Sequence, residues 1–214
     1  MVAAVIADIV RSRELDDRPS AQRALEATLG RVAETGPSAL RPLVPTVGDE
    51  LQGVFGELSA ALATTMLLQL ALPEELELRF GIGLGRIEEV PSMSGPLSEG
   101  EAWWAARAAI DAVETLAQRA APSARTRVAV PAGASDDVLE LVRVANAGVL
   151  ARDRALARLS ARNRRLIHGR WLGLTQAELA EQEGVGQSAV SQALSTADAG
   201  ALLEGLRELT DRAE

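Results

Sequence analysis

The spacing of apolar residues changes along the chain, and this change constrains the fold more than any other feature of the sequence. Up to about residue 130, short apolar runs with strand spacing alternate with stretches that have helix spacing. The strand-like runs cover 2–10, 43–47, 51–55, 76–90 and 125–130, and the helical stretches cover 19–35, 57–72 and 100–120. Their order predicts an α+β fold in which helices pack on a ferredoxin-like, antiparallel or mixed sheet.

The remainder of the chain has only helical patterns. Residues 131–137 (PAGASDD) have the composition of a connector, and no strand-like run follows them. We therefore predict two domains, an α+β domain over residues 1–135 and an all-α domain over residues 136–214.

The composition bounds the environment of the protein. Of its 214 residues, 47% are apolar, which is enough for a substantial core. Cysteine is absent, which excludes disulfides and thiolate metal sites. The first 17 residues lack the basic start of a signal peptide, and no run approaches the ~18 apolar residues of a membrane span. These features predict a cytoplasmic protein without a membrane segment.

Charge is unevenly distributed. The net charge is -8, and residues 1–150 carry all of this excess, whereas residues 151–214 are balanced. Within the second part, seven arginines and one acid occupy residues 151–170. A local basic stretch in an acidic protein indicates either a nucleic-acid contact or a solvated helix face.

Two aspartates interrupt apolar surroundings in the first domain. Asp8 lies near the end of the first strand, and Asp49 lies between two strands, at a predicted hairpin turn. A carboxylate in an apolar strand needs a cation or a hydrogen-bond donor. If strand 1 and the 43–55 hairpin are neighbours, Asp8 and Asp49 meet at one edge and provide oxygen ligands for Mg²⁺. The alternative is that each aspartate caps a turn or a helix.

Four segments resemble known proteins. VIADIVRS, TVGDELQGVFGELSAALATTMLLQ and LRFGIGLGRI resemble motifs of class III nucleotidyl cyclases. Together with GEAWWAARAAI, in this order, they resemble the SatD family, small bacterial proteins with a C-terminal helix-turn-helix. This resemblance covers nearly the whole chain.

The cyclase resemblance implies a site for Mg²⁺ or Mn²⁺ and a nucleotide. Asp8, Asp49 and the carbonyl of Ile9 would hold the metal, and Arg107 falls where cyclases keep a transition-state arginine. The candidate nucleotide-binding residues are Arg11, Ser12, Arg13, Gly48, Glu50, Gly83 and Arg107. Gly83 belongs to an alternating series, Gly81, Gly83 and Gly85, which leaves room for a ligand or for another backbone.

The sequence departs from the cyclase pattern at two positions. Pro45 replaces the base-selecting lysine, and Trp103 replaces the asparagine that orients the ribose. Trp103 shares a helix face with Arg107, where it would either stack on a base or belong to the core. The resemblance therefore supports metal and phosphate binding better than it supports cyclisation.

Residues 160–197 resemble the helix-turn-helix of sigma-factor region 4. Thr175 and Glu178 have the spacing of a capping box for a helix over 175–183, and Gly184 suits a left-handed turn. A second helix is predicted from about Gln187 to Ala197, with small polar side chains suited to base edges on its outer side. The alternative is a helical hairpin used only for dimerisation.

The predicted DNA contacts combine this outer side with nearby polar and basic groups. They are Arg162, Arg164, Arg165, Thr175, Gln176, Gln187, Ser188, Ser191 and Gln192. Leucines at 202, 203, 206 and 209 would complete the core of the helical domain or pair with a second copy. Paired half-sites favour a homodimer.

Two functions follow from the sequence, and a third possibility is that the first domain is a degenerate palm kept only for dimerisation. The first is a transcriptional regulator that binds double-stranded DNA and whose N-terminal domain binds a nucleotide or a metal-phosphate ligand. The alternative is an enzyme, a two-metal nucleotidyl cyclase or nucleotidyltransferase with a regulatory tail. No catalytic residue is assigned, and the sequence leaves open whether the protein is an enzyme.

Overall fold

The computed structural model describes residues 1–46, 48–90 and 97–210. The strands of the main sheet are β1 (Val2–Ile9), β2 (Arg41–Pro45), β3 (Glu50–Phe55), β4 (Leu78–Gly85) and β7 (Thr126–Ala129). The helices of this part are α1 (Arg18–Thr35), α2 (Leu58–Ala71) and α3 (Glu101–Arg119). Val47, the last residue of the predicted second strand, lies outside the described residues.

The main sheet has the strand order β2-β3-β1-β4-β7. β1 pairs antiparallel with both β3 and β4, and β7 is parallel to β4. The chain is therefore an α+β protein with a mixed sheet, as the sequence predicted. β1 is central, so its residues have neighbours on both sides and its carboxyl end faces the β2–β3 turn.

The two faces of the sheet pack against different helices. Ala3, Val5 and Ala7 belong to the apolar core that includes α1 and α2. Ala4 and Ile6 face the opposite way and belong to a smaller cluster with α3. This alternation follows from the two-residue period of a strand. Since Asp8 continues the second series, it lies on the α3 face of the sheet.

Three alternating glycines of β4 set the distance between the sheet and α3. A Cβ atom added to Gly83 would lie 2.0 Å from the carbonyl oxygen of Ala102 and 2.3 Å from the amide nitrogen of Ala106. A Cβ atom added to Gly81 or Gly85 would likewise lie 2.3 or 2.8 Å from the backbone of the same helix. The room left by these glycines is therefore filled by the α3 backbone, which was one of the two expected alternatives.

The predicted strand over 76–90 is two strands. β4 ends at Gly85, and a separate two-stranded sheet follows, formed by β5 (Glu88–Val90) and β6 (Leu97–Glu99). Gly100 then begins α3 with a φ of 137°, a conformation that favours glycine. A short 3-10 helix, Ser12–Glu14, follows β1 and was not predicted.

Helices form the rest of the described chain. They are α4 (Asp136–Leu156), α5 (Ala161–Trp171), α6 (Gln176–Glu183), α7 (Gln187–Thr196) and α8 (Ala199–Thr210). Their buried side chains, among them Ile167 and Leu206, join the core on the α1 and α2 side of the sheet. Leu206 is fully buried and its leucine neighbours pack around it, so α8 completes the core. The boundary between residues 135 and 136 stays a prediction.

A buried ion pair fastens α4 to this core. The Asp153 carboxylate accepts hydrogen bonds of 2.7 Å from the backbone amides of Arg125 and Thr126 at the start of β7. The Arg152 guanidinium lies 3.0 Å from Asp153 and donates to the Leu62 carbonyl of α2. Arg152, which belongs to the basic stretch of the sequence, is therefore an internal residue of the fold.

No helix among the described residues is long and apolar enough to span a membrane.

Candidate functional site

The carboxylates of β1 and of the β2–β3 turn lie at one edge of the sheet. Asp8 of β1 is opposite Glu50, the first residue of β3, and Asp49 precedes Glu50 in the turn. Gly48 opens this turn with a φ of 73°, which a glycine adopts without strain. The structure thus brings Asp8 to the same edge as two adjacent carboxylates that lie about 40 residues later in the sequence. We call Asp8, Asp49 and Glu50 the acidic edge.

Asp8 is held in place by an arginine on the neighbouring strand. Arg79 of β4 is its register partner and donates two hydrogen bonds to the carboxylate, of 3.1 Å from Nε and 2.9 Å from Nη2. Nη1 of Arg79 lies 3.0 Å from Glu114 of α3. This bidentate geometry fixes the orientation of the Asp8 carboxylate and joins it to α3.

The pKa of Asp8 is raised above its ordinary value. Burial, which disfavours the ionised form, is the largest cause, and the nearby charges of Glu114 and Asp49 act in the same direction. The hydrogen bonds and charge of Arg79 oppose them. The charge of Asp49 is the smallest of these causes, so Asp49 lies near Asp8 without being its main partner.

Glu50 has its own arginine. Nη2 of Arg107 on α3 donates to Glu50 Oε2 at 2.6 Å, and Gln52 donates to Glu50 Oε1 at 2.9 Å. The Arg107 side chain is half exposed, so it is accessible at the edge. Trp103, one turn before it, packs against the apolar cluster under α3. This position supports the core interpretation of Trp103, whereas its neighbour Trp104 is 71% exposed.

The charges around the acidic edge do not cancel. Asp8, Glu50 and Glu114 pair with two guanidinium groups, those of Arg79 and Arg107, and Asp49 adds a fourth carboxylate in the turn. If all are ionised, two negative charges remain, which is the charge that one divalent cation neutralises. Arg79 occupies one acceptor site on each Asp8 oxygen, and a carboxylate oxygen has two.

The residues at the edge therefore fit a divalent cation. Mg²⁺ commonly binds one or two carboxylates and completes its shell with water and phosphate oxygens. Asp8 and Asp49 would hold it, with the Ile9 carbonyl as the third predicted ligand. Among residues 1–46, 48–90 and 97–210, no group of three or more histidine or acidic side chains has the arrangement of a metal site. A cation here would thus depend on water or phosphate for most of its ligands.

The loop after β1 is a poor environment for phosphates. Arg11 adopts a left-handed conformation with a φ of 56° and lines a cleft of about 660 Å³. The same cleft is lined by six carboxylates: Glu14, Asp16, Asp17, Glu74, Glu75 and Glu77. Their combined charge opposes an anionic ligand. Phosphate binding by Arg11, Ser12 and Arg13 stays a prediction that these surroundings do not favour.

The prediction that Gly83 contacts a nucleotide is wrong. Gly83 is buried, and the backbone of α3 lies directly over it. Its role is to allow close packing of the helix on the sheet, which leaves no space for a ligand at this position.

The helical part contains a tight helix pair. Thr175 accepts a hydrogen bond from the Glu178 amide, and Glu178 accepts one from the Thr175 amide, so the predicted capping box begins α6. α6 ends at Gly184, whose φ of 65° is the predicted left-handed turn. α7 starts at Gln187, three residues further on. The sequence therefore predicted both helices and the turn between them.

α7 presents a polar surface. Val190 and Leu194 are buried against the other helices. The opposite side exposes the predicted DNA contacts of this helix, which are Gln187, Ser188, Ser191 and Gln192. Thr175 is exposed and Gln176 is half-buried at the start of α6. None of these side chains is needed for the packing of the helix pair apart from the capping hydroxyl of Thr175.

The predicted phosphate-binding arginines are partly engaged within the protein. Arg165 donates two hydrogen bonds of 2.7 Å to Glu183 at the end of α6, and Arg162 lies 4.0 Å from the same carboxylate. Arg164 lines a small cavity beside Asp153. Arg165 therefore ties α5 to α6, so its availability for DNA is reduced.

Sequence reasoning missed the partners of the acidic edge. Arg79 lies two residues before Gly81 and on the same face of β4. The alternation of that strand could therefore have placed Arg79 beside Asp8. Glu114 lies seven residues after Arg107, on the same side of α3, and helix spacing could have placed it there. The buried pair Arg152–Asp153 gives no sequence signal, because adjacent opposite charges usually lie on a solvated surface.

The fold and the acidic edge define the class of this protein. It is an α+β protein whose sheet carries carboxylates at one edge and is followed by packed helices. The chain belongs to the SatD family, whose model matches residues 2–203. No curated protein sequence matches it.

Adenylyl cyclases are among the solved structures with similar parts. A bacterial light-regulated adenylyl cyclase is 12% identical with a TM-score of 0.42, over 59% of this chain and 74% of the other. The adenylyl cyclase CyaB from P. aeruginosa is 14% identical with a TM-score of 0.38, over 50% and 68%. Adenylate cyclases from Trypanosoma brucei give 20% identity and a TM-score of 0.37, over 52% and 68%.

Proposed function

We propose that this protein is a DNA-binding transcriptional regulator whose N-terminal part binds a nucleotide together with a divalent cation. The observation that carries the DNA-binding proposal is the α6–α7 pair, a capped helix and a tight turn that leave the polar side of α7 exposed. A helix presented in this way fits the major groove, where glutamine and serine side chains contact base edges.

Base contacts would provide most of the specificity, because few cations surround α7. The predicted phosphate contacts are Arg162, Arg164 and Arg165, and Arg165 is already paired with Glu183. A plot of the logarithm of the association constant against the logarithm of the salt concentration should therefore have a slope of about -3 or shallower. The Thr175 end of α6 adds a helix N-terminus, where backbone amides favour a phosphate.

Selection of duplexes from a random library, followed by fluorescence anisotropy, tests DNA binding. We expect Gln192→Ala to weaken binding to a selected duplex by about tenfold, the effect of one base contact. Gln182→Ala, an exposed change on α6, is the matched control and should leave the affinity unchanged. Failure to enrich any sequence would remove the proposal of specific DNA binding.

The acidic edge is the proposed ligand site. Its two excess negative charges repel phosphates unless a cation is present, so nucleotide and Mg²⁺ should bind together. Arg107, half exposed beside Glu50, would contact a phosphate oxygen. Arg79 would hold Asp8 in the orientation for binding.

Thermal unfolding with Mg²⁺ and each nucleoside triphosphate tests this site. A nucleotide at a hundred times its dissociation constant adds ~2.7 kcal/mol, a rise of about 5–10 °C in melting temperature for a chain of this size. Asp49→Asn should abolish the rise, and Asp137→Asn, an exposed change on α4, should retain it. A rise that persists without Mg²⁺, or in Asp49→Asn, would contradict the proposed site.

The second candidate function is a nucleotidyl cyclase or nucleotidyltransferase. The specific observation in its favour is that Asp8 faces Glu50, the residue after Asp49, across the β1–β3 pair, and that Arg107 contacts Glu50. Bound metal would supply the chemistry of charge neutralisation at the transferring phosphoryl group. Within this chain, Asp8 and Asp49 would bind the metal, Arg79 would orient the Asp8 carboxylate, and Arg107 would face the phosphates of the nucleotide.

Release of pyrophosphate distinguishes the enzyme from the regulator. The enzyme predicts turnover of a nucleoside triphosphate with Mg²⁺ or Mn²⁺, lost in both Asp8→Asn and Asp49→Asn. Stabilisation by a nucleotide without any turnover, in the presence or absence of DNA, would favour the regulator.

A further inference from the structure

Helix α4 exposes an unusual amount of apolar surface. Of the nine large apolar side chains that are exposed among the described residues, four lie on this helix. They are Leu139 (41% exposed), Leu141 (47%), Val144 (62%) and Leu150 (38%). Single exposed apolar residues need no explanation, but here Val144 lies on the solvent-facing side of one helix with exposed leucines on both of its flanks, which indicates an interaction surface.

The exposed residues of α4 form a stripe opposite its buried side. Val142, Val149 and Leu156 face the core. On the other side, residues spaced four, three, four and three apart are all exposed, and we call them the outer stripe: Glu140, Val144, Ala147, Ala151 and Arg154. This spacing is that of a seam between two paired helices. Leu141 and Leu150 flank it.

The charges along α4 change sign from one end to the other. Asp136 and Glu140 occupy the first turns, and Arg154 and Arg158 occupy the last turn and the residues just after it. Two copies of α4 packed in parallel would place like charges opposite each other. Two antiparallel copies would place acids opposite arginines at both ends, with small or β-branched residues between them.

From this complementarity we infer that a second copy of this chain packs on the outer stripe, with the two α4 helices antiparallel about a two-fold axis near Ala147. The Val144 side chains of the two copies then lie on either side of the Ala147 contact. Glu140 faces Arg154 of the second copy, and Asp136 faces Arg158. The pairing is isologous, so each contact occurs twice. This inference is independent of the proposed function.

The pairs cannot form within one helix. Glu140 and Arg154 are 14 residues apart, which is about 21 Å along an α-helix. In the single chain, Glu140 instead pairs with Arg143 on its own helix, and both side chains are mostly exposed. An exposed pair of this kind contributes little, so it does not prevent the exchange of partners.

Sedimentation equilibrium of charge variants tests the arrangement. We expect the wild-type chain to dimerise, and Glu140→Arg or Arg154→Glu alone to raise the dimer dissociation constant about tenfold or more, because each places like charges in contact twice. The chain with both changes should recover the wild-type constant. A mixture of the two single variants should form heterodimers, because every facing pair is then of opposite charge.

Two further variants test the apolar centre. Val144→Asp should abolish dimerisation, and Leu172→Asp, at an exposed leucine after α5, should not. Circular dichroism of each variant confirms folding. A wild-type chain that stays monomeric at about 100 μM, a range in which such contacts are detectable, would overturn the inference. So would unchanged dimerisation in Val144→Asp, or single variants that do not form heterodimers when mixed.

Discussion

At the scale of single residues, the acidic edge is governed by pairs of opposite charge. Asp8 lies in a strand that is otherwise apolar, and Arg79 compensates its charge through two hydrogen bonds. Glu50 is compensated in the same way by Arg107. Asp49 has a different environment, since it lies in a turn and is half-buried. The three carboxylates are therefore not equivalent.

The pH dependence of stability should reveal the raised pKa of Asp8. Because the folded protein favours the neutral carboxyl, the contribution of Asp8 to stability is fully present below its ordinary pKa of 3.8 and is lost as pH rises through the folded pKa. The amide introduced by Asp8→Asn mimics the neutral carboxyl at every pH. Urea unfolding should therefore show the wild type losing stability relative to Asp8→Asn across this window. A difference that does not change with pH would contradict the prediction.

Glu183 has the opposite behaviour. Hydrogen bonds from Arg165 lower its pKa from the ordinary value of 4.5, so the ion pair stabilises the fold above that value and is lost as pH falls through the folded pKa. We expect Glu183→Gln to cost about 0.5–1 kcal/mol near neutral pH, as for a well-oriented surface pair, and to cost nothing in acid. Unfolding measured at both pH values checks this, with Glu181→Gln, an exposed change on the same helix, as the control.

At the scale of elements, much of the fold follows from spacing. Strands β1, β3 and β7 and helices α1 to α3 lie within a few residues of their predicted bounds, because each has a clear period and a stop signal. The capping box and Gly184 likewise define α6 from the sequence. The break in the predicted 76–90 strand was not foreseen, because its apolar alternation continues past Gly85 although the sheet does not.

The candidate site was only partly predictable, for a physical reason. Asp8 and Asp49 are placed by strand order, which a sequence can indicate. Arg79 and Glu114 depend on register and on how α3 lies across the sheet, and these are set by packing over long sequence separations. The role of Gly83 was hard to predict for the same reason. The sequence shows that this strand face is open, but not that α3 packs on it.

Two glycines provide a matched test of helix packing. Gly83→Val should destabilise the fold by about 3 kcal/mol or more, since any Cβ atom at this position meets the α3 backbone at 2.0 Å. Gly30→Ala in α1 has open space around the new methyl group and should stabilise the protein by up to about 1 kcal/mol. Chemical unfolding measures both. An inert Gly83→Val would mean that α3 does not lie against β4.

At the scale of the whole molecule, the C-terminal helices share a core with the sheet. α5 and α8 pack on α2, and α4 packs on β7, where Asp153 accepts two backbone hydrogen bonds. A structural change at the acidic edge would therefore reach α6 and α7 by way of α2 or α4. These are the elements that would transmit ligand binding to DNA binding, if the proposed regulator operates as one unit.

Removal of the buried carboxylate should test this connection. Asp153→Ala leaves Arg152 buried without its ion pair and should lower the free energy of unfolding by about 3–5 kcal/mol. Asp198 is not used as the control position, because its backbone φ is positive. Glu204→Ala, an exposed change on α8, is the better comparison and should cost little. Tryptophan fluorescence, which combines the signals of Trp103, Trp104 and Trp171, and circular dichroism should report one coincident transition in the wild type. Two separate transitions would mean that the helical part folds independently.

The glycine series of β4 separates the architecture of this protein from its chemistry. Helix α3 can approach the sheet only because three side chains are missing beneath it, and that closeness is what lets its two charged residues reach the acidic edge. A relative that kept these glycines but exchanged the carboxylates would retain the scaffold and lose the ligand. One that kept the carboxylates but gained a single methyl group under α3 would hold the right residues too far apart to cooperate.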